Sequence, residues 1–152
     1  MYQILTVYHN AFRWLVLASL LLALYRAGKG YFTNAPFTKT DNAIRHWTAT
    51  IAHIQLMIGM TLYFKSPIIK YFLAHFKTAV KSFDLSFFAL VHSTLMIAAV
   101  ILITIGSALA KREETDHLKF KTMLSWFTAA FHVIFIAIPW PFSPLASRPY
   151  FR

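Results

Sequence analysis

Four long apolar runs constrain this chain more than any other feature of its sequence. They cover residues 4–25, 45–64, 83–110 and 122–138, and each comes close to the roughly 20 apolar residues that a bilayer-crossing helix needs. In hydrocarbon a chain must satisfy its own backbone hydrogen bonds, and a helix does so within one segment. The runs therefore predict an all-α integral membrane protein: a four-helix antiparallel bundle forming a single membrane domain over residues 1–152. With 58% hydrophobic and only 13% charged residues, the composition lies outside the soluble range and supports the same reading.

The connecting segments fit this layout. Residues 31–42 carry Pro36 and turn formers, with Asp41 or Asn42 placed to cap the second helix. That helix is expected to stop at Ser66 and Pro67, with Tyr63 at the membrane interface. Over residues 67–82, Ile69, Phe72, Phe76, Val80 and Phe83 recur at helical spacing, while Lys70, Lys77 and Lys81 fall on another face. This predicts an additional amphipathic helix in the headgroup plane, or packed as a lid across the bundle mouth. Residues 111–116 (KREETD) read as a solvated turn. Prolines and Trp140 end the fourth helix at 138–145, and the tail 148–152 is expected to follow the membrane surface.

The formal charge of +10 lies mostly between and beyond the apolar runs, which points to lipid headgroups and not to nucleic acid. Eight Lys and Arg residues (Arg26, Lys29, Lys39, Arg45, Lys111, Arg112, Lys119, Lys121) fall on one side against six on the other (Lys65, Lys70, Lys77, Lys81, Arg148, Arg152). The positive-inside rule then predicts a bacterial inner membrane protein with both termini periplasmic. Residues 1–8 contain no charged side chain, so the first run is expected to be a retained helix and not a signal peptide.

Each apolar run carries one histidine well inside it, His9, His53, His92 and His132, and an imidazole at membrane depth is costly unless something binds it. At about 1.5 Å per residue, His9, His92 and His132 lie roughly 7, 13 and 9 Å from the outer face, and His53 roughly 16 Å. In an up-down bundle the diagonal pairs are His9 with His92 and His53 with His132. Because all four crowd the outer half and the centre, one haem, or one compact metal site, is expected rather than two haems. The chain has no cysteine, which excludes disulfides, zinc–thiolate sites, iron–sulfur clusters and covalent haem attachment.

Arg13, one turn beyond His9, is the candidate partner for a haem propionate, or it snorkels to the outer surface. Gln55, Ser93 and Thr94 are candidate hydrogen-bonding neighbours, with helix back-bonding the alternative for the last two. Phe12, Trp14, Met57, Met96, Phe127 and Phe131 are candidate lining or plain core, and His46, His75 and His117 read as surface residues. Interhelical hydrogen bonding and a histidine-bound copper or other metal stand beside haem b as readings of the four histidines. No acidic residue falls well inside the runs, which argues against a di-iron carboxylate site and a carboxylate proton relay. No catalytic acid, base or nucleophile emerges, so the chain is not read as an enzyme by itself.

The stretches HNAFRWLVL (9–17) and HIQLMIGMTLYF (53–64) with Ser66 and Pro67, together with IPWPF (138–142) and RPYFR (148–152), resemble a group of small four-helix membrane proteins. These are common in the Bacteroidota and often labelled "cytochrome b". The wider transmembrane cytochromes b, four-helix bundles with bis-histidine haem, are similar in layout. The resemblance implies haem binding through histidines. The reading of the residues is then electron transfer, to or from a quinone or a partner membrane subunit. The alternative in another class is an accessory subunit of a larger membrane complex.

Overall fold

A computed structural model describes residues 1–143, which are helical with short connections and, among the described residues, contain no strand. The expected course of the tail at 148–152 lies outside the described residues. Helix α1 (Tyr2–Thr33) ends at Asn34, whose left-handed φ of 50° turns its N–H back onto the Gly30 carbonyl. Helix α2 (Lys39–Lys65) starts earlier than the apolar pattern predicts. Its cap is Thr38 rather than Asp41 or Asn42: Thr38 accepts the Asp41 N–H, and the Asp41 carboxylate accepts the Thr38 N–H at 2.9 Å. Two backbone donors that the helix leaves orphaned are satisfied reciprocally.

The amphipathic helix expected over 67–82 is broken. Helix α3 (Pro67–Ala74), capped by Ser66, stops at His75, and a single turn α4 (Phe76–Ala79) follows. Ile69, Phe72 and Ala79 are buried against Tyr63 and Leu85, while Tyr71, Leu73, Phe76 and the lysines face outward. Helix α5 runs over Phe83–Arg112 and includes a π-helical turn at Phe87–His92. Helix α6 (Asp116–Ala137) is capped by Thr115, which accepts the Leu118 N–H, and so begins six residues before the expected 122.

Among the described residues three helices, α1, α5 and α6, are long and apolar enough to cross a membrane. Helix α2, the fourth expected span, is not among them, because His46, His53, Gln55 and four threonines interrupt its apolar residues. Helix α1 packs against α2 and α6, and α5 packs against the same two, so α1 and α5 share both neighbours. The shared core holds Leu20, Ala23 and Ala27 of α1, Ala52 of α2, Ala99 and Ile103 of α5, and Met123, Phe127 and Ala130 of α6. Small side chains let backbones approach where no hydrophobic drive separates helix from lipid. Gly106 is the extreme case: a Cβ there would overlap the side chain of Trp126.

At the end away from the chain's start, polar groups tie α1, α2 and α5 together. Arg26 bonds Asp41 at 2.8 Å, and the carboxylate is fully buried. Arg45, only 5% exposed, donates to Asn42 Oδ1 and to the carbonyl and hydroxyl of Ser107. Burial by itself pushes the Asp41 carboxyl up, but hydrogen bonds from Thr38 and Arg26, with the guanidinium charge, outweigh it and hold the pKa below the usual carboxylate value.

Candidate functional site

The start of α1, the C-terminal half of α2, the first turns of α5 and the end of α6 surround a cavity of about 260 Å³. Its polar wall comes from His9, Asn10 and Arg13 of α1 and from Gln55 of α2. His92, Ser93 and Met96 of α5 face it, and Val16, Ala52, Leu56, Val100 and Ile134 form an apolar floor.

His92 is the last residue of the π turn. Such turns insert one residue into an α-helix, rotate the facing of every residue beyond the insertion, and recur at functional sites. Within this turn the Ala89 carbonyl accepts from the Ser93 hydroxyl and, at 3.0 Å, from Tyr63 Oη of α2. His92 Nδ1 lies 2.8 Å from the carbonyl of Ala137, the last residue of α6. That carbonyl has no helical donor of its own, since the helix ends there and the chain leaves it extended at Ile138, with φ and ψ of −71° and 129°. A carbonyl only accepts, so the ring carries its proton on Nδ1 and presents a lone pair on Nε2.

His9 faces it from α1: the ring centroids are 6.3 Å apart and the planes cross at 73°. Gly59 of α2 makes the room, as a Cβ there would come within 3.1 Å of His9 Cε1. One turn earlier on α2, Gln55 Nε2 donates to the His9 carbonyl at 2.9 Å. Gln55 Oε1 and His9 Nδ1 are buried and make no hydrogen bond. Gln55 thus holds the backbone of His9 and not its ring.

One expected diagonal pair, His9 with His92, is brought together; the other is not. His53 is exposed on α2 and bonds Thr104 Oγ1 of α5 at 3.0 Å. Because that hydroxyl donates its proton to the Val100 carbonyl, His53 Nε2 is the donor. His132 is exposed and donates from Nδ1 to the Thr128 carbonyl one turn back on its own helix. Each finds a nearer acceptor than the opposite helix offers. Likewise, the four histidines do not converge on one compact metal site, and among the described residues no three His, Asp or Glu side chains stand close enough to hold a metal ion.

Of the other candidates, Arg13 lines the cavity with its guanidinium over the rings of Trp14 and Trp140, at 5.3 and 5.9 Å. Ser93 bonds back to its own helix, Met57 is 72% exposed, and Phe127 is fully buried in the core. His46, His75 and His117 are exposed beside Trp47, Tyr71 and Tyr31.

Of the four histidines expected at depth, His9 and His92 line this cavity, so they are the two that could hold a group bound there. The backbone carbonyl on His92 Nδ1 is also the usual support of a metal-bound imidazole. No family model matches this chain, and neither a curated protein nor a solved structure is significantly similar to it.

Proposed function

We propose that this chain is a b-type cytochrome-like protein of the bacterial inner membrane that holds one haem b between His9 and His92 and passes single electrons. The observation that carries the reading is the His9–His92 pair, with the His92 proton held by the Ala137 carbonyl and Nε2 left to ligate. The pairwise packing of α1, α2, α5 and α6 supports a four-helix antiparallel membrane bundle around that pair. A haem between two histidines supplies a one-electron iron couple. The chain's own part is to position both rings: the π turn and Ala137 fix that of His92, while Gln55 holds the backbone of His9 and Gly59 leaves room for its ring. The apolar floor keeps water from the buried face, and Arg13 is the cation for a propionate. The electron partner is a quinone or another membrane subunit, and the chain is not an enzyme by itself.

The test is absorption of the purified protein, oxidised and dithionite-reduced, with haem and metal analysis of the same sample. About one haem per chain is expected. His92→Ala and His9→Ala should abolish the reduced α band, while His53→Ala and His132→Ala retain it. A colourless, metal-free protein from haem-supplied cells overturns the reading. Stoichiometric copper without haem would move it to a copper protein, for which Met60 and Met96 in the same cavity are suitable soft ligands.

A second reading, an accessory subunit of a larger complex, has its own support. The outward face of α2 carries His46, His53 and Thr61, polar groups better matched to a protein neighbour than to lipid. Co-purification of a colourless chain with a larger assembly would favour it.

A further inference from the structure

A second cavity, of about 250 Å³, lies at the opposite end of the molecule, among Phe37, Thr38, Lys39, Asn42, Lys111 and Lys119. We propose that it binds a phosphate group, carried either by an anionic phospholipid of that leaflet or by free phosphate.

Three different helices deliver the lysines: Lys39 opens α2, Lys111 lies in the last turn of α5, and Lys119 lies in the first turn of α6. Chain segments remote in sequence thus bring three positive charges to one hollow. Their cost to one another is offset only in part. Asp116 pairs with Lys119 at 3.2 Å, and Lys119 also sits over the Phe37 ring at 5.7 Å. The other nearby carboxylates are engaged elsewhere or outside the lining: Asp41 holds Arg26, Glu113 accepts the Thr122 hydroxyl, and Glu114 is exposed in the turn beyond α5. Among the described residues neither Lys39 nor Lys111 is in an ion pair.

The neutral lining points the same way. Asn42 Oδ1 accepts two bonds from Arg45, which leaves the amide NH2 as its free end. The Thr38 hydroxyl gives its proton to Asp41, so the donors of the hollow are the Asn42 amide and the lysines, backed by the positive end of α2. A phosphodiester, whose phosphate oxygens only accept, or the unprotonated oxygens of free phosphate answer that demand. The hollow also lies where α5 ends and α6 begins, the level at which a bilayer places its phosphates, and basic hollows between membrane helices hold lipid headgroups.

The experiment compares the purified wild-type protein with Lys39→Gln/Lys111→Gln, using Lys70→Gln/Lys77→Gln at the other end as control. All four lysines are exposed, and Lys111→Gln alone serves if the double variant does not fold. Probes are phosphatidylglycerol, phosphatidylcholine and inorganic phosphate, read by thermal shift and by lipid adducts in native mass spectrometry. Saturable stabilisation by phosphatidylglycerol but not phosphatidylcholine, weakened about 25-fold in the double variant and unchanged in the control, is expected. If phosphate alone reproduces the stabilisation at the same lysines, the source is soluble phosphate; if it does not, the source is the lipid. Equal affinity in wild type and double variant, an equal loss in the control, or no response to either probe overturns the proposal.

Discussion

At His92 the position of a single proton follows from a carbonyl that the end of α6 leaves without a helical donor. Asp41 carries a different consequence. Its pKa is lowered in the fold, so its contribution to stability is present above the unfolded value of 3.8 and is lost as pH falls through the lower folded value. Thermal unfolding followed by circular dichroism should show a fall in Tm below about pH 4 that Asp41→Asn lacks. At neutral pH that variant should be less stable by about 2 kcal/mol, since the carboxylate is buried but Arg26 is a third exposed. His9 and His92 stand out in the sequence because an intramembrane imidazole needs a partner. Arg45 reads there as a cytoplasmic surface charge, since nothing local shows that Ser107, sixty-two residues away, will bury it.

At the level of elements, helix ends follow side-chain chemistry that hydropathy does not record. Thr38 and Thr115 extend α2 and α6 beyond their apolar runs by capping them. The amphipathic stretch after Pro67 has a continuous apolar period, yet it breaks at His75, where φ and ψ of −123° and 38° leave the helix. The π turn is also invisible to periodicity, since one extra residue shifts the pattern by no more than natural scatter. Deleting Leu90 should return Phe87–His92 to α geometry and swing His92 off the cavity by about 100°. The helix content should remain while the reduced α band is lost; retention of the band would show that the π turn is not what aims the ring. Gly106→Leu tests the α5–α6 contact, because the side chain must displace Trp126. A loss of roughly 1–3 kcal/mol, seen as a lower Tm, is expected.

For the whole molecule, membrane orientation is testable because the chain contains no cysteine. Single variants Thr78→Cys and Glu114→Cys should react with an impermeant maleimide from opposite sides of intact cells, Thr78→Cys from outside. Labelling of both from one side would break the alternating topology. The apolar runs alone determined that the chain is helical and suited to a membrane, because hydrocarbon admits few backbone solutions and run length is a local property. They also placed a histidine at depth on every run. Which of those histidines meet was decided only by tertiary structure. His53 and His132 differ from His9 and His92 not in residue type but in facing, and facing depends on a π turn, on the room at Gly59 and on the carbonyl left open where α6 ends. The lysine-lined hollow is likewise a tertiary product, since its charges come from three helices that meet only when the chain is packed.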